Sequence, residues 1–525
     1  MARKSRLPEV TTPKRLTRPV EQAPPREDRR SGKKHRFAPR RGWGGRFGGR
    51  APVEDTGTVY TGPTSQVGSL YPWLLGAGLP PRGVPVGRDV LTGELACIDP
   101  SGWTGQYTTN PGVWVMSQPG AGKSALVKRI CLVYSAYGHM MVCPGDVKGE
   151  YTALVKELGG SVVRIGDGVG RINPLDSGPL RGRVQSLPVD RRQALLDVLN
   201  GRRLETLVAL LSTKHGLGRS PDEVERSALD TAVYLASAAQ ESGSDPIVTD
   251  VTDVLRAAPE PLRVKLAAEG ETYQNLTRSV IAGLDNLVGG PLRGLFDGPT
   301  TVPLDIAAPA VSVDISALRA RGNDVLSAGM IATWAYTYSS IDSARSIGLL
   351  DRKLVLPMDE MWRALRSGPG LVDAMDAISR LNRVTDDVTI YVTHSLLDVE
   401  ALPTEMDRAK ARGLMDRCDT WVLGASTTEE LQRVTGKRSL TEQEIMMVSS
   451  WSSATSTGLD VAPSYDEDDT RPVEEESVRH PGRGKYLIKL GTRPGIAASL
   501  ELTSTEQRLY RTDANRRRTT GVGSR

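Results

Sequence analysis

The chain is poor in several things, and each shortage narrows what it can be. Of 525 residues only four are Cys, at positions 97, 131, 143 and 418, and no two form a C-x-x-C pair. That spacing argues against a zinc site and for buried free thiols in a reducing compartment. Aromatics make up 5%, with three Phe. No apolar run approaches the ~18 residues needed to span a membrane; the nearest, "YPWLLGAGL" (71–79), is half that length. No secretory leader is expected either, because the basic N-terminus has no apolar stretch behind it.

What is present is unevenly distributed. Residues 1–50 hold 16 Lys and Arg against 4 Asp and Glu, whereas the remainder holds 51 against 58. The basicity therefore belongs to a tail, while the body is mildly acidic. Residues 1–55, rich in Arg, Gly and Pro, are expected to be disordered. Their "PRRGWGGRFGGR" segment (39–50) is suited to single-stranded nucleic acid, through phosphate charge and base stacking, or to an anionic membrane surface. A solubilising tail without a specific partner is the plainer reading.

Hydrophobic patterning divides the rest. Residues 56–110 form a small β-containing region, with two short strands about a Thr-Gly turn in 83–99. Residues 111–187 and 296–510 show strands alternating with helices, the pattern of a wound α/β sheet. Strands are expected at 113–116, 139–146, 161–166, within 308–316, in "KLVLPMDE" (353–360), in "DDVTIYVTH" (386–394) and at 484–491, and a long helix at 324–338. Residues 188–295 read as helices only, an all-α insertion. One of its helices is predicted to start with Ser220 as N-cap, Pro221 first and Glu223 closing a capping box, with Val224, Ala228, Leu229, Ala232 and Leu235 on its buried face. An acidic run at 466–476 reads as a solvated loop, and 511–525 as a basic tail.

Three segments carry chemistry. "VWVMSQPGAGKS" (113–124) nearly spells the phosphate-binding loop G-x-x-x-x-G-K-[ST], with Ser117 in place of the first Gly. Such loops aim backbone N–H groups at phosphate, and the following helix adds its positive end. Ser117, Gln118, Pro119, Gly120, Ala121, Gly122, Lys123, Ser124 and Ala125 are therefore expected to hold a nucleotide. Lys123 would reach the β- and γ-phosphates, and the Ser124 hydroxyl would bind Mg2+. Second, an apolar strand ends in Asp359-Glu360, where Asp359 suits the metal shell and Glu360 can polarise water. Pro357 should lie near the end of that strand, where a missing N–H matters least. Third, another apolar strand delivers Thr393 and His394 to the same sheet edge, where they can sense the γ-phosphate or position water; a lone His at a strand end is also often structural.

These elements, with "GDVKGEY" (145–151), "INPLD" (172–176), "GLFDG" (294–298) and "GRGKYLIKLGTRPGIAASLELTSTE" (482–506), resemble the HerA/FtsK superfamily of RecA-like P-loop ATPases, and within it the short actinobacterial form of the TraC/VirB-type conjugal transfer ATPases of type IV secretion. The likeness runs over roughly residues 80–515. It implies a RecA-like α/β sheet flanked by helices, ATP and Mg2+ as ligands, and a homo-hexameric ring that is cytoplasmic and docked at the inner face of the membrane through type IV secretion channel components. It also implies an arginine finger from a neighbouring subunit, with Arg383 the first choice and Arg380 the second. Asp146, Lys148 and Glu150 would lie near the nucleotide edge. The sensor departs from the Thr-Gln common in the superfamily. Two other functions stay open: a cytoplasmic motor that translocates single- or double-stranded DNA, and a non-hydrolysing scaffold that recruits nucleic acid through its tail.

Overall fold

The computed structural model describes residues 82–510, apart from 167, 181–182, 184–187, 241–243, 370, 373–374, 376–385 and 453–481. The tail 1–55, residues 56–81, Arg380 and Arg383, the acidic run 466–476 and the tail 511–525 lie outside the described residues.

Eleven strands form one sheet: β1 (Val84–Asp89), β2 (Leu95–Ile98), β3 (Val113–Met116), β4 (Met140–Asp146), β5 (Ser161–Arg164), β6 (Ala310–Asp314), β7 (Leu354–Met358), β8 (Val388–Thr393), β9 (Thr420–Leu423), β10 (Lys485–Leu490) and β11 (Ile496–Ser499). Their spatial order is β2-β1-β11-β10-β9-β3-β8-β7-β4-β6-β5. From β9 to β5 every pairing is parallel. From β9 outward through β10, β11, β1 and β2 every pairing is antiparallel. The parallel strands are short, almost wholly apolar and covered on both faces, as a sheet of this kind requires. In β3, Val113 and Val115 face one core and Trp114 and Met116 the other. Trp114 stacks on Trp421 of β9 at 5.6 Å between ring centroids, which ties the two strands together.

Helix α1 (Lys123–Ala136) covers the Val113 face with Leu126, Val127 and Ile130. It stops at Gly138, which takes φ +89°, a left-handed conformation that glycine adopts without steric cost. Helix α2 (Thr152–Glu157) lies on the same side. Between β5 and β6 come α3 (Val189–Ser212), α4 (Glu223–Ala238), α5 (Val248–Ala257), α6 (Glu260–Leu266) and α7 (Gly270–Val288), which extend the opposite core together with α8 (Asn323–Ser346).

The INPLD segment joins this helical part to the sheet. The Asn173 amide donates to Pro246 O at 3.0 Å. Ser177 donates through N and Oγ to Asp245 Oδ2 at 3.0 and 2.9 Å. Arg203 of α3 then binds Asp245 and Leu175 O. Buried polar groups that satisfy one another fix how the two parts meet.

Two sequence expectations need correction. Helix α4 is capped by Asp222, not Ser220, and the box is closed by Glu225, not Glu223. Asp222 wins because Glu225 bonds back to its N–H at 2.9 Å and is itself gripped by Arg219 and Ser279. That register turns Val224 to solvent, whereas Ala228, Leu229 and Ala232 are buried. Helix α8 continues to Ser346, two turns beyond Tyr338, because Ile341 and Ala344 keep its buried stripe going. Pro357 does stand next to last in β7, and β4 pairs with β7 only at Leu354 and Val355, so its missing N–H breaks no bond there. All four cysteines are free and buried. Among the described residues no helix is long and apolar enough to cross a membrane.

Candidate nucleotide-binding site

The carboxyl ends of β9, β3, β8, β7 and β4 line one sheet edge, and every chemistry-bearing segment singled out above sits on it. Crevices at such edges are where open parallel sheets bind ligands.

The loop after β3 turns twice through left-handed glycines, Gly120 at φ +84° and Gly122 at φ +98°. Gly122 also has no room for a side chain, since a Cβ there would stand 2.8 Å from Tyr486 Oη. The loop is held from behind by β10 and the residue before it: Gly484 N donates to Ala121 O at 3.0 Å, and Tyr486 Oη donates to the same oxygen at 3.4 Å. In front, the N–H groups of Gly120, Gly122, Lys123 and Ser124 have no acceptor among the described residues. Unspent N–H donors at a helix N-terminus fit an anion. Pro119 has no N–H to give and shapes the turn.

Ser117 departs from the expected glycine without distorting the loop. It is fully buried and is not among the residues with positive φ. Its side chain occupies space left by Gly424, where a Cβ would lie 2.6 Å from Ser117 Oγ. Gln118 N then bonds to Ala425 O at 2.8 Å, so the opening of the loop is stitched to the end of β9. Ala121 is buried, and Ser124 and Ala125 are half-buried in the first turn of α1.

Lys123 is buried, and its ammonium donates to Ser117 O at 2.5 Å and Gln118 O at 3.0 Å. It also lies 2.9 Å from His394 Nδ1, which must accept there while the ammonium is charged. Burial pushes its pKa down to about 8, against the pull of Asp359. His394 Nε2 stands 3.9 Å from Glu360 Oε1. His394 thus lies between lysine and glutamate because β8 runs between β3 and β7. Thr393 is buried and turned away from this line: its hydroxyl donates to Asp398 Oδ2 at 2.6 Å, with Ser395 O also within reach at 2.9 Å. Asp398 also accepts from His394 N at 3.2 Å and pairs with Arg366. As placed here, Thr393 shapes the turn that presents His394.

Glu360 adopts φ +57°, rare for a side chain of its size and of the kind found at functional sites. Its Oε1 is 2.9 Å from Lys148 Nζ, and its Oε2 accepts from Arg363 Nε at 2.8 Å. His394, Lys148 and Arg363 hold its carboxyl well below the usual range. Burial instead raises the pKa of Asp359, whose Oδ1 accepts only the Glu360 N–H at 3.0 Å in the hydrogen bonds described. A half-buried carboxylate short of partners among the described residues, on the same edge as the Ser124 hydroxyl, fits a divalent cation with oxygen ligands.

The D-x-K-G-E-Y loop closes the other side. Buried Asp146 accepts from Lys148 N at 3.3 Å, Glu150 N at 3.0 Å and Tyr151 N at 2.8 Å, while burial pushes its pKa up to about 6. It is the cap of this turn. Lys148, Glu150, Asp146, Asp359 and Glu360 line one small cleft.

Asp398, Gly424 and Arg363 were not singled out by sequence reading. Arg363 had a signal, since it lies three residues after Glu360 on a short helix, α9 (Met361–Leu365), a spacing at which side chains meet. Asp398 is local too, four residues after His394, whereas Gly424 meets Ser117 only through the tertiary fold.

No family model and no curated protein matches the chain. Solved structures do. VirB4 of Thermoanaerobacter pseudethanolicus superposes with a TM-score of 0.59 at 21% identity, over 82% of this chain and 100% of that one. The chain has the fold of VirB4. The conjugative coupling protein TrwBΔN70 matches more distantly, with a TM-score of 0.45 at 12% identity over 75% of this chain and 86% of its own. TrwB in complex with ADP and Mg2+ gives a TM-score of 0.44 at 13% identity, over 75% and 85%. The mixed α/β sheet flanked by helices agrees with the wound α/β sheet read from the alternation of strands and helices, and with the RecA-like architecture that the resemblance implied.

Proposed function

We propose that the chain is an ATP-hydrolysing motor that energises a type IV secretion or conjugation machine. One observation carries the enzymatic part: His394 stands between Lys123 and Glu360 across three strand ends, beside a loop in which the N–H groups of Gly120, Gly122, Lys123 and Ser124 have no acceptor among the described residues. The likeness to VirB4 and the segments quoted from the sequence support the secretion part.

Residues 117–125 would cradle the β- and γ-phosphates, with Lys123 leaving Ser117 O and Gln118 O to neutralise them. Ser124 and Asp359 would hold Mg2+, which offsets phosphate charge when bound. Glu360 would take a proton from water as the water oxygen bonds to the γ-phosphorus and the bond to the β-phosphate oxygen breaks, with ADP leaving. His394 would follow the γ-phosphate by trading its contact with Lys123 for one with substrate. An arginine from the next subunit of a homo-hexamer, Arg383 or Arg380, would neutralise the developing charge. We further assign the ring to the inner face of the cell membrane, held by channel components, with the basic tail touching nucleic acid or anionic lipid.

The test is ATP hydrolysis by the full chain and by Lys123→Ala, each with and without single- and double-stranded DNA. Turnover by the wild type and its loss in Lys123→Ala are expected. Undiminished turnover in the variant sinks the site assignment. Strong stimulation by DNA together with strand movement would make the protein a DNA pump.

A further inference from the structure

A nucleotide on the β3–α1 loop has two ends, and the sheet separates them. Glu360 follows β7 and His394 follows β8, both on one side of β3 in the strand order. The γ-phosphate belongs on that side. A nucleotide held at the loop by its β-phosphate must then run its α-phosphate, ribose and base the other way, toward β9 and β10. The chemistry above assigns no side chain there. Strand β10 is antiparallel to β9, so its first residue, and not its last, stands on the edge that carries the site. The chain enters β10 through the turn Gly482-Arg483-Gly484.

This turn is fixed on both flanks. A Cβ on Gly482 would stand 2.6 Å from Trp451 O and 2.8 Å from Ala425 Cβ, so the backbone there is pressed against the end of β9. Lys485 N closes the turn on Gly482 O at 3.1 Å. Gly484, at φ +79°, donates to Ala121 O at 3.0 Å and accepts from Leu500 N at 2.7 Å. Between two glycines, Arg483 supplies the turn's side chain. Its Cγ lies 3.9 Å from where a Cβ on Gly122 would stand, beside the residue that precedes Lys123. Arg483 is exposed, and its guanidinium has no hydrogen bond or ion pair among the described residues. On the other side of β3, by contrast, Arg363 and Arg366 are committed to Glu360 and Asp398. A bare guanidinium on a fixed turn, beside a loop with unspent N–H donors, suits an anion, and its planar fork matches two phosphate oxygens.

We propose that Arg483 binds the nucleotide held by its own subunit, pairing its guanidinium with α-phosphate oxygens at the end remote from hydrolysis. This rests on the nucleotide-site reading above. The contact is the same before, during and after loss of the γ-phosphate, so it contributes to affinity and not to the rate of the chemical step. That separates Arg483 from a finger supplied by a neighbouring subunit, which acts on charge that develops only during transfer.

The test measures equilibrium binding of fluorescent ADP, and kcat and KM for Mg-ATP, on the full chain as wild type, Arg483→Ala and Arg483→Lys. Arg483 is exposed, so neither variant threatens the fold. Arg483→Ala should weaken ADP binding about tenfold, raise KM by a similar factor and leave kcat within about twofold. Arg483→Lys keeps the charge without the fork and should recover about threefold of the lost affinity. A fall in kcat with ADP affinity unchanged would make Arg483 a group acting on the γ-phosphate and overturns the proposal. A lysine no better than alanine overturns the pairing with phosphate, since a guanidinium that merely stacked on the base would be lost in both. If the wild type binds ADP and Arg483→Ala binds it as tightly, this proposal alone is refuted; if the wild type binds no nucleotide, the site reading and the role of Arg483 fall together.

Discussion

Gly424→Ala probes how a loop without its first glycine stays in shape. The added Cβ would lie 2.6 Å from Ser117 Oγ and 2.7 Å from Ser117 Cβ. Carbon atoms rest at about 3.5–4.0 Å, so β9 and the loop must part by roughly 1 Å. Rotating the Ser117 hydroxyl relieves the first contact but not the second. Overpacking of this size costs about 1–3 kcal/mol. The shift passes to Gln118, whose N–H is bonded to Ala425 O at 2.8 Å, and to the carbonyls that receive Lys123. Misplacing a reacting group by ~1 Å can cost about 10²-fold in rate. Urea unfolding should therefore show the stability loss, and ATP turnover should fall far more than stability alone explains. Ser117→Gly deletes both clashing atoms, so Gly424→Ala/Ser117→Gly should recover most of both losses, while Ser117→Gly alone costs no more than about 1 kcal/mol from backbone freedom. A neutral Gly424→Ala, or a defect that Ser117→Gly does not relieve, would refute the claim that these two positions share one space.

Two further outcomes are expected. Asp146→Asn replaces one accepting oxygen by an NH2 that faces a backbone N–H. It should cost about 1–3 kcal/mol locally, seen as faster hydrogen exchange at residues 148–151, and the effect is partly offset because burial already disfavours the Asp146 charge. Glu225 is held near a pKa of about 2 by Arg219 first, then Ser279 and the Asp222 N–H, against an ordinary 4.5. Its folded pKa is depressed, so its stabilisation is complete above about 4.5 and lost as pH falls through about 2. The exchange difference over α4 between wild type and Glu225→Gln should be widest near neutral pH and shrink through that window; a constant difference would contradict the assignment.

Much of the fold was legible because its signals are local. Val113–Met116, Met140–Asp146 and Val388–Thr393 are apolar runs of strand length, and the glycines at 120, 122 and 138 mark turns that need positive φ. The order of strands was not legible. Nothing near residue 390 says that β8 will lie between β3 and β7, yet that placement alone puts His394 between Lys123 and Glu360. The loop departure at Ser117 was visible, but its accommodation by Gly424, some 300 residues away, was not. The Asp222 cap was misread for a similar reason. Ser220 and Asp222 both offer capping oxygens, and the choice is made by Ser279 of α7 and by Arg219, which grip Glu225.

The central claim is that Glu360 draws the proton from water at a nucleotide held by the β3–α1 loop. The direct measurement is single-turnover ATP hydrolysis alongside ATP affinity for Glu360→Gln. The variant keeps the size of the side chain and its bond to Arg363, but not the charge. Affinity should stay within about threefold of wild type while the hydrolysis step slows by about 10²-fold or more. Hydrolysis at the wild-type rate in Glu360→Gln would contradict the claim.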